Sequence, residues 1–275
     1  MVELMSVNIL EARACMCEGA FSEKIKDAFR REVPGVDVVV FENTDSTNTR
    51  AKIFARSATD KKDTFFIARR QSAGRGRLGR SFLSEEGGLY ISYLTYPKLK
   101  AEDAIKLTAF SAVCLAETVA EFTSLNPKIK WVNDCFIGDK KLAGILTEGE
   151  FADSGEPFRY AVVGIGVNIA KVDFGELSDI ATDIESESGK LVGIPEFAAA
   201  LAEKLIKFEH AKPHCYMQKY RELSMLTGRR VKVITPTGQY LATVEGIEDD
   251  GSLTVVSDVS ERINLISGDV SIRLS

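Results

Sequence analysis

A glycine-rich loop at residues 71–82, QSAGRGRLGRSF, constrains the fold more than any other stretch of the chain. Its glycines match the G-x-G-x-x-G pattern of dinucleotide-binding folds, and it comes within one residue of the P-loop pattern, with Arg80 in place of the lysine. Both patterns require a helix directly after the glycines, because the helix N-terminus meets the phosphate. The residues that follow, GGLYISYL, predict a strand instead. Both nucleotide-binding interpretations therefore fail on their structural context.

The same loop concentrates positive charge on an acidic chain. The 275 residues carry a formal net charge of −5, which argues against nucleic-acid binding through bulk charge. Within the loop, however, Arg75, Arg77 and Arg80 alternate with glycines. Guanidinium groups bind carboxylate and phosphate oxygens in pairs and stay charged at physiological pH. The pattern predicts a loop that binds an anionic ligand and becomes ordered over it.

Strand and helix patterns alternate along the chain up to about residue 226, where the character of the sequence changes. Helices are predicted at 22–33, 49–58, 101–122 and 195–211, strands within 36–48, 63–71, 87–96 and 159–170, and a strand–turn–strand unit at 128–151 with its turn at Gly138. The run at 159–170 is almost entirely apolar, so we expect a strand buried on both faces. After 226, short strands separated by turn residues predict a small antiparallel barrel; the turns are expected at Thr237-Gly238, Asp250-Gly251 and Gly268-Asp269.

Composition narrows the class of protein further. No apolar run approaches about 18 residues, so no membrane-spanning helix is expected. The first residues lack the basic, apolar and small-residue succession of a secretory signal. Five cysteines, an odd number, fit reduced thiols in a cytoplasmic protein.

Four sequence blocks, taken together and in order, resemble the biotin protein ligase family. They are DSTN at 45–48, GRGRLGR at 74–80, KWVNDCFIGDKKLAGIL at 130–146, and a G-x-G-x-N block at Gly164, Gly166 and Asn168. Order and spacing agree from about residue 38 to the C-terminus. Val132 stands where the family has proline, which removes a constraint on φ but no functional group.

The resemblance implies an α+β fold with three parts. Residues 38–226 would form a mixed β-sheet catalytic domain of the biotin/lipoate ligase type, and 227–275 a small C-terminal antiparallel β-barrel. Residues 1–37 would be a helical N-terminal extension, shorter than the winged helix-turn-helix of the regulatory members, so DNA binding is not expected. A homodimer formed through an exposed sheet edge stays open.

The resemblance also implies an activity and the residues that carry it. Biotin and ATP would be the substrates, with Mg²⁺, biotinyl-5′-AMP the intermediate, and a lysine of a biotin carboxyl carrier protein the acceptor. Arg77 and Lys141 would be catalytic, and Asp134 would help to hold Mg²⁺. The biotin-binding residues would be Ser46, Thr47, Asn48, Gln71, Gly74, Arg75, Gly76, Arg77, Lys141, Gly144, Gly164 and Gly166. The ATP- and phosphate-binding residues would be Arg75, Arg77, Arg80, Trp131, Asn133, Asp134 and Asn168.

Each assignment has a plainer alternative. The residues 46–48 could simply cap a helix, Trp131 could be core packing, Asp134 could stabilise a turn, and Lys141 with its neighbour could be an exposed hairpin pair. A zinc site is a further alternative, although its residues have no standard spacing. Its candidate ligands are Cys15, Cys17, His210, His214 and Cys215.

Three other functions compete with the ligase interpretation. A lipoate ligase would share the fold and the adenylation chemistry, but its loop does not resemble G-R-G-R-x-G-R. A non-catalytic biotin sensor would keep the pocket without the reaction. RNA binding by an RGG-like loop would call for interleaved aromatic residues and a basic surface, which this sequence lacks.

Overall fold

A computed structural model describes residues 19–100, 103–151, 158–235, 238–266 and 269–272, and it shows the predicted α+β fold. The helices are α1 (Ala20–Glu32), α2 (Thr47–Ser57), α3 (Ala104–Thr123), α4 (Ile184–Ser188), α5 (Ile194–Leu205) and α6 (Pro213–Glu222). The strands are β1 (Asp37–Thr44), β2 (Thr64–Gln71), β3 (Gly88–Thr95), β4 (Lys128–Lys130), β5 (Asp134–Ile137), β6 (Lys140–Phe151), β7 (Phe158–Asn168), β8 (Arg230–Thr235), β9 (Gly238–Ile247), β10 (Leu253–Ser257), β11 (Arg262–Leu265) and β12 (Asp269–Ile272).

The first seven strands form one mixed sheet in the order β1-β2-β3-β7-β6-β5-β4. The β1–β2 pair is parallel and the other pairs are antiparallel. Successive side chains of a strand point to opposite faces, and on β2 Phe65 and Phe66 accordingly belong to two different apolar clusters. Helix α2 packs on one face, and α1, α3 and α5 cover the other. The central strand β7 is therefore buried on both sides, as its apolar run predicts.

The segment 128–151 differs from the predicted strand–turn–strand unit. It forms three strands, because residues 131–133 make a tight turn that pairs Lys130 with Asp134. The predicted turn at Gly138 is present, and its positive φ of 56° favours glycine. The extra turn matters for the site, since it places Trp131, Asn133 and Asp134 side by side.

The C-terminal strands form a second, wholly antiparallel sheet in the order β11-β10-β9-β8-β12. In the residues described, the two outer strands each pair with one neighbour, so this sheet is open and not a closed barrel. Trp131 joins the sheets, because its indole Nε1 donates to the Gly251 carbonyl at 2.9 Å. The predicted turn residues Thr237 and Gly268 lie outside the described residues.

Helix α1 confirms the amphipathic pattern predicted at 22–33, with Ile25, Phe29 and Val33 almost fully buried against the sheet and α5. Cys15 and Cys17 lie outside the residues that the structure describes. In the part of the chain that is described, no helix is both long and apolar enough to cross a membrane.

Candidate functional site

The largest set of predicted site residues lines one cleft at the ends of β2, β5, β6 and β7. Its empty volume, counted to the open mouth, is about 920 Å³. The predicted residues on its wall are Ser46, Thr47, Asn48, Gln71, Arg75, Gly76, Arg77, Arg80, Trp131, Asn133, Asp134, Lys141, Gly144, Gly164 and Gly166. The wall also includes residues that were not predicted: Ser81, Phe82, Tyr90, Lys130, Ile145, Leu146 and Ile165. Two predicted residues, Gly74 and Asn168, are absent from it.

One end of the cleft is built on the first turn of α2 and is polar without net charge. Ser46 occupies the N-cap position, but its hydroxyl makes no capping bond. Gln71 at the end of β2 caps instead, since its Oε1 accepts from Thr47 N at 2.8 Å and lies 3.0 Å from Thr47 Oγ1. The Ser46 hydroxyl is therefore not used as a helix cap, which removes the plainer interpretation of this residue.

Ser92 on β3 extends this polar end and was missed from the sequence. It is completely buried, and its Oγ lies 2.6 Å from Asn48 Oδ1 and 2.7 Å from Thr47 Oγ1. The signal was a serine inside a strand whose other positions are all buried. Such a residue must find hydrogen-bond partners, and here the partners are two predicted ligand-binding side chains.

The glycines of β6 and β7 make room for protein side chains. A Cβ atom at Gly164 would lie 2.1 Å from Asn48 Oδ1, and one at Gly166 would lie 2.6 Å from the Phe82 ring. A Cβ at Gly144 would lie 3.2 Å from Lys141 Nζ. These three glycines were predicted to belong to the biotin-binding residues. In the structure they seat the side chains that line the cleft.

Gly74 is needed for the shape of the loop. Phe82 N donates to the Gly74 carbonyl at 3.0 Å and Gly76 N donates to the Arg80 carbonyl at 2.7 Å, which closes the loop as a hairpin. A Cβ at Gly74 would lie 2.5 Å from Phe82 O and 2.3 Å from Ser84 Oγ. The close approach of two backbone segments therefore accounts for Gly74, which explains why it is not on the wall.

The arginines of the loop project around the second, cationic end of the cleft. Arg77 donates from Nη1 to Asn133 Oδ1 at 3.1 Å. Asn133 is itself held against β6 by a hydrogen bond, which its Nδ2 donates to the Ile145 carbonyl at 2.8 Å. Arg80 is exposed, and Arg75 reaches Thr49 Oγ1 at 3.3 Å. The loop thus surrounds the cleft mouth with guanidinium groups.

Lys141 and Asp134 face each other across the β5–β6 hairpin. Lys141 Nζ lies 2.8 Å from Asp134 Oδ1 and 5.9 Å from the centre of the Phe82 ring. The Oδ1 atom is buried and meets no donor in hydrogen-bonding geometry, so the contact is an ion pair. Lys141 is tied at its backbone too, since its N–H donates to the Ile180 carbonyl at 2.8 Å. Asp134 therefore acts on Lys141 in the cleft, and the turn-stabilising alternative has no support in these contacts.

Asn168 lies behind the cleft wall, because another bond holds its side chain. The residue is buried, and its Nδ2 donates to the Thr182 carbonyl at 2.9 Å. Thr182 N in turn donates to the Lys141 carbonyl at 3.0 Å. Trp131, by contrast, is both cleft wall and core, with 4% of its surface exposed.

The described residues contain no group of three or more His, Cys, Asp or Glu side chains that could hold a metal ion. His210, His214 and Cys215 are within this part of the chain and form no such group. The zinc alternative therefore has no support there, whereas Asp134 is a single carboxylate on the cleft wall.

Comparison with known proteins agrees with this geometry. The biotin/lipoate A/B protein ligase family matches residues 40–168, and the biotin protein ligase C-terminal domain matches residues 226–273. A biotin–[acetyl-CoA-carboxylase] ligase of Paracoccus denitrificans is 30% identical over 221 residues, which cover 76% of this chain and 90% of the relative. The bifunctional ligase/repressor BirA of Bacillus subtilis is 29% identical over 247 residues, 86% of this chain and 74% of the relative.

A solved structure gives the same result for the fold. The biotin protein ligase from Aquifex aeolicus in complex with biotin and ATP superposes with a TM-score of 0.71 at 27% sequence identity. The superposition covers 87% of this chain and 99% of that one, so it includes both sheets. The chain therefore belongs to the biotin protein ligase family.

Proposed function

We propose that this chain is an ATP-dependent biotin protein ligase and that the cleft is the site of both half-reactions. The observation that carries the proposal is the polarity of this single cleft. An uncharged polar end at 46–48 adjoins a cationic end at Arg75, Arg77 and Lys141. A neutral ureido ring needs matched donors and acceptors, whereas joining a carboxylate to a triphosphate needs fixed positive charge.

In the first half-reaction, a carboxylate oxygen of biotin attacks the α-phosphorus of ATP and pyrophosphate leaves. Two anions must approach in line, so cations fixed beforehand have to cancel their repulsion. Lys141 would bridge the carboxylate and the α-phosphate, because Asp134 holds its ammonium group on the cleft wall. Arg77, anchored on Asn133, would hold the carboxyl end of biotin, and Arg80 would meet the leaving pyrophosphate.

The triphosphate also implies Mg²⁺, and the residues present fit that ion. Mg²⁺ is bound in many nucleotide sites through one or two carboxylates together with phosphate and water oxygens. Asp134 offers one such carboxylate on the cleft wall. We propose that Asp134 would hold the ion together with the nucleotide, where Mg²⁺ would neutralise phosphate charge. Lys141 would then turn from Asp134 to the reacting oxygens.

In the second half-reaction, the amine of the acceptor lysine attacks the acyl carbon of biotinyl-5′-AMP. An amide bond forms, the bond from the acyl carbon to AMP breaks, and AMP leaves. The acyl-adenylate must be protected from water between the two steps. The loop at 74–84 lies at the mouth of the cleft and would close over the intermediate to supply this protection.

The partner of the second step is proposed to be a biotin carboxyl carrier domain, and the location cytoplasmic. We further propose the division 1–37, 38–226 and 227–275, in which Trp131 links the second and third parts. Asn168 would support Lys141 through Thr182, and its contact with adenine stays a prediction. Two further points stay predictions. A gel-shift assay would check that the protein does not bind DNA, and sedimentation would check whether it forms a homodimer.

The deciding experiment is ATP–pyrophosphate exchange with purified protein and Mg²⁺, in the presence of biotin, of lipoate or of neither. We expect exchange that depends on biotin. Exchange with lipoate alone would keep the fold and replace the substrate. If neither substrate supports exchange, the result would favour a biotin sensor, which a direct measurement of biotin binding would then identify.

A further inference from the structure

Glu148 on β6 gathers three donors from two other elements without lining the cleft. Its Oε2 accepts from Asn48 Nδ2 at 2.9 Å and lies 3.4 Å from Arg75 Nη2. Its Oε1 accepts from Lys52 Nζ at 2.6 Å. Asn48 and Lys52 belong to α2, and Arg75 belongs to the glycine–arginine loop. One carboxylate therefore connects the polar end of the cleft to the loop at its mouth.

The first consequence concerns which way the Asn48 amide points. Its Nδ2 donates to two acceptors, the Leu146 carbonyl at 3.2 Å and Glu148 Oε2. An amide oxygen turned toward these groups would be repelled by both, so Oδ1 must face Ser92 Oγ. The space gives no third position, because Gly164 lies directly behind Oδ1. If Glu148 carried no charge, turning the Asn48 amide over would cost less free energy, because a neutral side chain repels the amide oxygen less.

The second consequence concerns the hydroxyl groups further along the network. Ser92 must donate to Asn48 Oδ1, so Thr47 holds the one hydroxyl hydrogen left for two contacts, with Ser92 at 2.7 Å and Gln71 at 3.0 Å. Thr47 donates this hydrogen to Gln71 Oε1, which also accepts from Thr47 N. Ser92 therefore links the Asn48 amide to the Thr47–Gln71 pair on the cleft wall. A turned Asn48 amide would disturb this arrangement where the ureido ring would bind.

The third consequence concerns the loop. Arg75 has two contacts on this side, Glu148 Oε2 and Thr49 Oγ1 at 3.3 Å. Both anchor the guanidinium against α2, where the cationic end of the cleft meets the polar end. Burial alone would raise the pKa of Glu148, but the hydrogen bonds from Lys52 and Asn48 and the charges of Lys52 and Arg75 lower it overall. The carboxylate is therefore ionised at neutral pH, as all three contacts require.

We propose that Glu148 is a positioning residue that sets the Asn48 amide and seats Arg75, and so determines biotin affinity without touching biotin. This inference rests on the proposed function. Both of its effects act on the bound state of the ring before any chemistry. Its loss should therefore raise the KM for biotin and leave kcat nearly unchanged.

Glu148→Gln tests this, with Glu150→Gln as the matched control. Glu150 lies two residues further along β6, on the same face, and its partners Arg56 and Arg159 are not on the cleft wall. In ATP–pyrophosphate exchange, we expect Glu148→Gln to raise the biotin KM about tenfold or more, as loss of a charge-assisted hydrogen bond would. We expect Glu150→Gln to stay within about twofold of the wild type.

Two further variants separate positioning from mere stability. Lys52→Gln removes the strongest ion pair of Glu148 but leaves Asn48 and Arg75 in place, so its biotin KM should change far less. Glu148→Asp keeps the charge with a shorter reach, should rescue part of the affinity, and serves if the Gln variant does not fold. Equal biotin KM values for Glu148→Gln and Glu150→Gln, or for Lys52→Gln and Glu148→Gln, would overturn the inference. Failure of the wild type to exchange would overturn the proposed function instead.

Discussion

The two ends of the cleft differ in the kind of ligand group that they suit and in how firmly the protein holds their side chains. At the polar end, Ser46, Thr47 and Asn48 are each 4% exposed, and neighbouring protein groups satisfy the Thr47 and Asn48 side chains. At the cationic end, the Arg75 and Lys141 side chains are 44% and 34% exposed. A neutral ring needs a pocket that is shaped before it arrives, because each misplaced polar group costs a hydrogen bond. A polyanion can reorganise long cationic side chains as it binds.

The difference makes the cationic end the place where single side chains should matter most for rate. Lys141→Ala removes the ammonium that would meet both reacting anions, and we expect exchange to fall by about 10²–10³ in kcat. Biotin binding measured by calorimetry should weaken far less than the rate, because the ureido ring keeps its partners at the polar end. Lys140→Ala is the control, because Lys140 is adjacent but donates to the Ser178 carbonyl away from the cleft. Equal losses in both variants would mean that hairpin charge, and not Lys141 itself, supports the reaction.

The polar end should respond most strongly to shape. Gly164→Ala would place a methyl group 2.1 Å from Asn48 Oδ1, so Asn48 must move. We expect biotin affinity by calorimetry to weaken about tenfold or more. Gly246→Ala in the second sheet has open space around the new methyl group and should leave affinity unchanged. Undiminished biotin binding by Gly164→Ala would show that the polar end adapts, and the contrast between the ends would fail.

A smaller effect is expected at the rim of the cationic end. Arg80 is exposed, so water and salt screen its charge. Arg80→Ala should raise the KM for ATP by about three- to tenfold, less so at high salt, and leave biotin affinity alone. Arg70→Ala is the control, because it removes an exposed arginine that pairs with Glu86 outside the cleft. A change in biotin affinity in Arg80→Ala would mean that this side chain acts at the polar end of the cleft and not at the cationic end.

Local patterns predicted most of the fold, and the resemblance to the biotin protein ligase family supplied the expected residues that line most of the cleft wall. The apolar run of β7, the helical spacing of α1 and the strand after the glycine loop are each encoded within a dozen residues. The motif residues meet in one cleft because β2, β5, β6 and β7 bring their ends together. The open C-terminal sheet and the extra turn at 131–133 were not predicted, since pairing partners decide them.

What the sequence could not reveal is the set of residues that support the motif residues. Phe82 fills the space above Gly166, and Glu148 reaches Asn48 across a separation of 100 residues. Neither belongs to a local pattern. The same limit applies to Gly74 and Asn168. They lie off the cleft wall because Gly74 serves the backbone of its own loop and Asn168 is held by Thr182.

The smallest expected effect tests how the second sheet supports the cationic end. Trp131→Phe keeps an apolar ring on the cleft wall but leaves the Gly251 carbonyl without its indole donor. An unsatisfied buried carbonyl costs about 1–3 kcal/mol, so Tm should fall by roughly 2–8 °C in calorimetry while exchange changes by less than about twofold. An unchanged Tm with a large loss of exchange would mean that the indole contacts the ligand directly. The expected result would instead assign Trp131 to the joint between the sheets, and the order of the cationic end would then depend on packing from behind the cleft.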